Sequence, residues 1–187
     1  MIRLFVAVEV PEARKQPVAD GIEGIRERVP GARWTSPTAW HVTLKFLGAT
    51  PEERLDEVTQ VVARAATAAA PAEASLNGLG AFPGFRRARV LWVGLDEPGG
   101  VLTGLARSLE DGFEPLGFPK ERRPWSPHLT IARFKVPAAL GLDKGQVALD
   151  DGFSSGPFGV EEVVLFRSHL KPQGAVYEAL SRFRLGG

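Results

Sequence analysis

The chain contains no cysteine among its 187 residues and only three histidines. The absence of cysteine excludes a disulfide framework, a thiolate metal site and a cysteine nucleophile. Neither sign of charge is in excess, because 23 basic residues face 22 acidic ones for a formal net charge of +1. That balance argues against a polybasic, non-specific nucleic-acid binder, although it leaves room for a local basic patch.

Long uncharged apolar runs are also missing, and none approaches the ~20 residues that a membrane helix needs. The apolar run over residues 2–8 is short and is followed at once by Glu9 and Pro11. We therefore expect a strand there and not a signal peptide. With 44% hydrophobic residues, the chain can bury a substantial core. The composition predicts a soluble, cytoplasmic globular protein.

Hydrophobic periodicity predicts a mixture of strands and helices. Strands are expected over residues 2–8, 39–47, 74–81, 88–95, 127–135 and 159–167, with a weaker one at 146–149 after a loop at 137–145. Helices are expected over about 12–29, from Thr50 to near Pro71, and after Gly99-Gly100. The second helix is predicted to begin with a capping box between Thr50 and Glu53, with Pro51 at its first position. The segment 174–185 fits a strand or a helix.

Two of the three histidines stand in the same four-residue frame, His41-Val42-Thr43-Leu44 and His128-Leu129-Thr130-Ile131. Side chains at positions i and i+2 of a strand point to one face, so each histidine shares a face with its own threonine. The aliphatic residues face the other way, into a core. A helix and two strands follow the first frame before the pattern restarts, which suggests two related lobes that each give one H-x-T strand to a shared cleft.

A pair of imidazole and hydroxyl groups suits acid/base chemistry on a phosphate. Histidine titrates near pH ~6.5, so one imidazole can accept a proton while the other donates one. In-line hydrolysis of a phosphodiester needs both roles, and threonine hydroxyls can hydrogen-bond the phosphate oxygens. One H-x-T frame often occurs by chance, whereas two favour catalysis. We expect no metal, because the sequence has no HExxH motif and no carboxylate cluster near either frame.

The segments around both frames carry a resemblance to a known family. They are Arg3-Leu4-Phe5-Val6-Ala7-Val8, Trp40-His41-Val42-Thr43-Leu44-Lys45-Phe46-Leu47-Gly48, Phe82-Pro83, Arg89-Val90-Leu91-Trp92-Val93-Gly94, Arg123-Pro124-Trp125-Ser126-Pro127-His128-Leu129-Thr130-Ile131-Ala132-Arg133 and Leu165-Phe166-Arg167-Ser168. With them the chain resembles the two-histidine (2H) phosphoesterase superfamily. Within it, the chain is similar to the bacterial and archaeal RNA 2′,3′-cyclic phosphodiesterases, also called 2′-5′ RNA ligases.

The resemblance implies an α+β fold that is bilobal, with lobes related by a pseudo-two-fold axis. Antiparallel β-sheets would line a central cleft, with the helices outside, in a single domain over residues 1–187. The implied activity is hydrolysis of RNA 2′,3′-cyclic phosphate ends, tRNA fragments among them, to a 2′-phosphomonoester. It implies no cofactor and, by microscopic reversibility, 2′-5′ ligation as the reverse reaction. The family pattern makes His41 the proton donor and His128 the acceptor. One chain holds both histidines, so we expect a monomer.

Two further charged residues are candidates for substrate contact. Lys45 lies on the His41 face by alternation and is predicted either to hold phosphate or to be solvated. Arg133 follows the second motif in the family, but strict alternation points it away from His128 and Thr130, so contact with substrate requires a bulge. Candidate base-stacking residues are Phe5, Phe82, Phe85 and Trp125, and a basic rim is expected from Arg86, Arg87, Arg122 and Arg123. His169 lacks a threonine at i+2 and is excluded.

Two alternative functions remain open on the sequence. The first is a 2H enzyme that acts on small cyclic nucleotides. The second is a non-catalytic module that binds RNA cyclic-phosphate ends. The second alternative gives no reason for two intact H-x-T frames, because a binding module does not need two titratable groups.

Overall fold

The computed structural model of the protein describes residues 1–140, 154–172 and 174–187. The strands are β1 (Ile2–Glu9), β2 (Ala32–Trp34), β3 (His41–Thr50), β4 (Ala72–Phe82), β5 (Ala88–Asp96), β6 (His128–Ala138), β7 (Phe158–Val160), β8 (Glu162–Lys171) and β9 (Gly174–Arg184). The helices are α1 (Glu12–Arg26), α2 (Leu55–Ala68) and α3 (Val101–Phe113). The strand predicted at 146–149, and most of the loop predicted at 137–145, lie outside the described residues.

In the described ranges, nine strands form one sheet in the order β7-β4-β5-β6-β3-β1-β8-β9, with β2 paired to β6. All of the pairings are antiparallel. The two halves of the sheet are built alike about the β6–β3 contact, because each motif strand pairs with the strand that precedes it across a helix, β3 with β1 across α1 and β6 with β5 across α3. The predicted α+β class with antiparallel pairing is confirmed. This arrangement agrees with two related lobes. That the two lobes form a single domain stays a prediction.

The core lies on the helical side of the sheet. Both α2 and α3 are amphipathic and bury one apolar stripe each, with Val58 and Val62 in α2 and Leu105 and Leu109 in α3. The aliphatic residues of both motifs join this core, and Val42, Leu44, Leu129 and Ile131 are at most 3% exposed. The opposite face of the central strands is therefore left to the histidines. No helix of the described residues is long and apolar enough to cross a membrane.

Several predicted boundaries are wrong for reasons that lie in the sheet. Pairing of Ile2 with Thr50 extends β3 through Thr50, whose hydroxyl donates to the Gly48 carbonyl at 3.3 Å. The capping box therefore does not form, and α2 begins at Leu55 after a 3-10 turn over Glu52–Arg54. The strand predicted at 159–167 is split into β7 and β8, and 174–185 is mostly strand because it forms a hairpin with β8.

Candidate active site

The two H-x-T strands meet at a single register pair, Val42 with Leu129. Antiparallel continuation of that register sets His41 across from Thr130 and Thr43 across from His128. All four of these side chains line one cleft of about 640 Å³. The cleft predicted from the sequence is therefore present, and both motifs contribute to it.

The two histidine rings are oriented in the same way. Nδ1 of His41 donates to the Ala39 carbonyl at 2.9 Å, and Nδ1 of His128 donates to the Ser126 carbonyl at 2.7 Å. A backbone carbonyl can only accept, so the proton of each neutral ring stays on Nδ1. Nε2 of each ring is then the atom that accepts or donates a proton. Both histidines are thus prepared for proton transfer by a carbonyl two residues upstream.

Aromatic side chains from neighbouring strands pack against each imidazole. His41 lies between Phe5, at 4.8 Å between ring centroids, and the edge of Tyr177, at 4.9 Å. His128 meets the edge of Phe82 at 5.0 Å and lies 5.9 Å from Trp92. These aromatic contacts restrict the orientation of both imidazole rings and shield part of their surface from water.

The same burial sets the protonation state of the two histidines in the free protein. Burial, with a smaller contribution from the positive charge of Arg133, lowers the pKa of His41 from 6.5 to about 4. Burial also lowers the pKa of His128, and Arg133 again contributes. Hydrogen bonds to Ala39 and Ser126 oppose the shifts without cancelling them. At neutral pH both imidazoles of the free protein are therefore uncharged, and a bound anion is needed to hold one of them protonated.

Each motif strand carries a bulge directly after its threonine. In β3, Ala7 pairs with Thr43 and Val6 with Lys45, so Leu44 is the extra residue. In β6, Trp92 pairs with Thr130 and Leu91 with Ala132, so Ile131 is the extra residue. A bulge of one residue swaps the faces of everything that follows.

The bulge in β6 turns Arg133 into the cleft. Sequence analysis required such a bulge for Arg133 to contact substrate. The equivalent residue of β3, five positions after its histidine, is Phe46. That side chain lies in the same cleft and is 57% exposed. Strict alternation places Phe46 on the same face as Val42 and Leu44, towards the core, so the sequence alone gives no sign that Phe46 lies in the cleft.

The bulge in β3 turns Lys45 away from His41, and the prediction that it lies on the His41 face is wrong. Its side chain is 1% exposed and its Nζ lies 2.8 Å from Glu110 Oε2 in α3. Nζ also donates to the carbonyl of Pro119 at 2.7 Å. Lys45 is therefore neither solvated nor able to hold a phosphate in the cleft. It ties the first motif strand to the helix and loop that precede the second.

The basic rim of the cleft consists of Arg3, Arg33 and Arg133, all exposed. Among the described residues that line the cleft there is no aspartate or glutamate. The expected rim residues 86, 87, 122 and 123 do not line it. The site is therefore electropositive, as an anionic substrate requires.

The other aromatic candidates separate clearly. Phe82 lines the cleft, as does Phe5, although Phe5 is 3% exposed and mainly supports His41. Phe85 and Trp125 pack against the core. Tyr177 was missed, because the strand that carries it, β9, had an ambiguous pattern. His169 lies outside the cleft lining and pairs with Glu178 at 2.7 Å.

A second groove, of about 900 Å³, opens on the other side of His41. Its lining has four carboxylates, those of Glu9, Glu12, Glu161 and Glu162, against two cationic side chains, Lys15 and Arg184, so it is negative on balance. Such a lining repels a phosphate, so the cleft that holds both histidines is the candidate active site. A search of the part of the chain that the structure describes finds no group of three or more histidine, cysteine, aspartate or glutamate residues placed to hold a metal ion.

A model of the 2′-5′ RNA ligase superfamily matches residues 11–172, a span that contains both motifs and the cleft strands between them. The chain belongs to this superfamily. A relative from Methanothermobacter thermautotrophicus is 33% identical over 184 residues, which cover 98% of this chain and 99% of that protein. One from Thermus thermophilus is 35% identical over 199 residues, with 100% and 91% covered. Both bear the name RNA 2′,3′-cyclic phosphodiesterase.

Two solved structures share the fold of this chain. A crystal structure of a Thermus thermophilus protein superposes with a TM-score of 0.83 at 33% identity, with 100% of this chain and 99% of that one covered. Escherichia coli LigT in complex with 3′-AMP gives a TM-score of 0.80 at 24% identity, with 100% and 99% covered. At the latter identity the likeness concerns the fold alone.

Proposed function

We propose that this protein is an RNA 2′,3′-cyclic phosphodiesterase that opens the cyclic phosphate to a 2′-phosphomonoester without a metal. The observation that carries the proposal is the pair of imidazoles in one electropositive cleft, each with Nδ1 bound to a carbonyl and with no hydrogen bond from Nε2 to any residue that the structure describes. Relatives that align over nearly the whole chain bear the name of this activity. Together these support an enzyme and not a passive binder.

In the proposed mechanism, His128 Nε2 accepts a proton from water while the water oxygen attacks phosphorus. The bond from phosphorus to the 3′-oxygen breaks, and the Nε2 proton of His41 passes to that oxygen. The order of donor and acceptor follows the family resemblance. Thr43 and Thr130 hydroxyls and the Arg133 guanidinium bind the non-bridging oxygens, where charge increases in the transition state.

Substrate binding itself supplies the proton that His41 needs. In the free protein burial keeps the pKa of His41 at about 4, so the ring is neutral at pH 7. A phosphate brings negative charge next to the imidazole and draws Arg133 into an ion pair, and both effects favour the protonated ring. We infer that binding of the substrate is coupled to uptake of a proton.

The cleft also provides a place for the terminal nucleoside. Its volume of about 640 Å³ is in the range of small-molecule sites. Exposed Phe46 and the half-buried Phe82 present aromatic surface to it, which suits stacking with a base. We propose RNA 3′ ends as substrates, tRNA fragments among them. Because one chain supplies both motifs, we propose that it acts as a monomer, and that 2′-5′ ligation is the reverse reaction.

The test is incubation of an oligoribonucleotide ending in a 2′,3′-cyclic phosphate with the protein in excess EDTA. We expect the oligonucleotide to gain the mass of one water, and ³¹P NMR of the product to show a 2′-phosphomonoester. The His169→Ala variant is the control, and it should match the wild type. Binding with no change in mass would favour the non-catalytic alternative. Faster turnover of a cyclic mononucleotide than of the oligonucleotide would favour the small-nucleotide enzyme.

A further inference from the structure

The orientation of each histidine depends on the segment that leads into its strand. The carbonyls that hold the two Nδ1 atoms belong to Ala39 and Ser126, two residues before the respective histidine. We call residues 35–40 and 122–127 the lead-in segments. Whatever fixes a lead-in segment also fixes the tautomer and direction of the histidine that follows it.

The lead-in segment of His128 is tied to the first motif. Trp125 immediately precedes Ser126, and its indole Nε1 donates to the main-chain carbonyl of Thr43 at 2.9 Å. The ring packs against the core, so the contact is partly buried and shielded from water. The carbonyl of the threonine in the His41 motif thus holds the segment that orients His128.

The lead-in segment of His41 is tied to the second motif in the reciprocal sense. Trp40 follows Ala39 and donates from its Nε1 to Thr35 Oγ1 at 2.9 Å. That hydroxyl donates in turn to the main-chain carbonyls of Thr130, at 2.9 Å, and Ile131, at 3.0 Å. Trp40 is 3% exposed, so this relay is also sheltered. The carbonyl of the threonine in the His128 motif thus holds the segment that orients His41.

These ties matter because the backbone alone joins the motifs weakly. Strands β3 and β6 share one register pair, Val42 with Leu129, whereas β1 and β3 share eight and β5 and β6 share six. Besides this pair, β2 pairs with β6 over three residues and the Thr35 amide donates to the Ile131 carbonyl at 2.9 Å. Side-chain hydrogen bonds add to this short backbone connection between the two halves of the active site. A loosened lead-in segment would let its imidazole turn away from the reacting phosphate, and small misplacements are costly in catalysis.

We propose that Trp125 and the Thr35–Trp40 relay are positioning residues that couple the orientation of each histidine to the opposite motif. The proposal rests on the proposed function for its kinetic consequence only. Trp125→Phe keeps an aromatic ring but removes the N–H, and should release the segment that orients His128. Thr35→Val removes the hydroxyl at nearly constant volume, and should release the segment that orients His41.

The decisive readout is the tautomer of each imidazole, measured by ¹⁵N NMR on the full chain at pH 7.5. We expect Nδ1–H for both histidines in the wild type. Trp125→Phe should give a mixture of tautomers at His128 with His41 unchanged, and Thr35→Val should give the opposite pattern. His169, the third histidine, is an internal reference that neither variant should affect. This measurement needs no turnover, so it stands even if the protein fails to hydrolyse a cyclic phosphate.

Kinetics on the cyclic-phosphate oligonucleotide give the second readout. Each variant should lower kcat by about ten- to a hundredfold with little change in KM, because the ground-state contacts to phosphate remain. Thr35→Ser keeps the hydroxyl and should restore the wild-type rate and tautomer. Thr59→Val is the matched control, since it removes a comparable hydroxyl bond to a carbonyl, that of Leu55 at 2.8 Å in α2.

Unchanged tautomers in folded Trp125→Phe and Thr35→Val would overturn the proposal. So would a Thr35→Ser variant that behaves like Thr35→Val, because the hydroxyl would then not be what matters. If Thr35→Val fails to fold, the tautomer of His128 in Trp125→Phe still decides the matter. A tautomer change in Trp125→Phe with kcat unaltered would also contradict it, because orientation would not limit the reaction.

Discussion

The two motif strands, β3 and β6, share a backbone plan and differ in the side chains placed on it. Each has a histidine held through Nδ1 by the carbonyl two residues upstream, a threonine facing the cleft, and a bulge directly after the threonine. Five residues after the histidine, β3 has Phe46 and β6 has Arg133. Both lie in the cleft because both strands bulge at the same place.

The difference between Phe46 and Arg133 suits a substrate whose two ends differ. A nucleoside cyclic phosphate has an anionic end and an aromatic end, and Arg133 and Phe46 match one each. One position earlier the strands differ again, with Lys45 in β3 and Ala132 in β6, and both residues are buried. We propose that the shared residues transfer protons, that Arg133 and Phe46 recognise the substrate, and that Lys45 stabilises the fold.

Among the features that β3 and β6 share, the histidines should matter most for activity. His41→Ala and His128→Ala should each lower kcat on a cyclic-phosphate oligonucleotide by about 10²- to 10⁴-fold, since each removes one proton-transfer group. Thermal unfolding should confirm that both variants are folded. Full activity in both variants would exclude the two-histidine mechanism.

Lys45 should prove to be structural although it stands in the motif. Lys45→Met leaves Glu110 in a largely buried site without its partner, and we expect a loss of about 3 kcal/mol in the free energy of unfolding. Urea titration measures it. Lys45→Met combined with Glu110→Leu should recover part of the loss, because no carboxylate is then left unpaired. A stable Lys45→Met with a raised KM would instead assign the lysine to substrate.

Replacing Arg133 by methionine should act on binding and on pH dependence together. We expect KM to rise by about tenfold, as for the loss of one charge-assisted hydrogen bond. The positive charge of Arg133 lowers the pKa of both histidines, so its removal should raise both. Since His128 must be neutral to accept a proton, kcat/KM rises with pH through its pKa. The acid limb of that profile should therefore move to higher pH in the variant.

Phe46→Ala should have the smallest effect on activity. That effect should appear only with substrates that carry a nucleobase. We expect KM for a nucleoside cyclic phosphate to rise several-fold, consistent with the loss of about 1 kcal/mol of stacking. Ribose 2′,3′-cyclic phosphate, which lacks a base, should be affected little. The control is Val136→Ala, since Val136 is 72% exposed and lies outside the cleft lining. Equal losses on both substrates would show that Phe46 does not contact the base.

The sequence predicted correctly which side of the strand each motif residue faces before the bulge, but not after it. His41 and Thr43 were placed correctly because two residues of regular strand separate them. Lys45 was misplaced because a bulge depends on what the following residues pair with, here Glu110 in a helix 65 residues away. Arg133, which follows the bulge in β6, was placed better, because the family resemblance required a contact with substrate that strict alternation does not allow.

Other features had no local signal at all. The ties from Trp125 to Thr43 and from Thr35 to Thr130 join residues 82 and 95 positions apart. The rim arginines Arg3 and Arg33 come from strands that approach the cleft only once the sheet has formed. Periodicity reports which side of an element is buried, and it does not report which element lies opposite.

The most direct test is a crystal structure of the protein with a nucleoside 2′-phosphate, the proposed product, bound. We predict the phosphate between the two motifs, with Nε2 of His41 and Nε2 of His128 each within about 3.2 Å of a phosphate oxygen and on opposite sides of the phosphorus. Arg133 should contact the same group. A phosphate held by only one histidine, or bound in the groove lined by Glu9 and Glu161, would contradict the two-histidine mechanism.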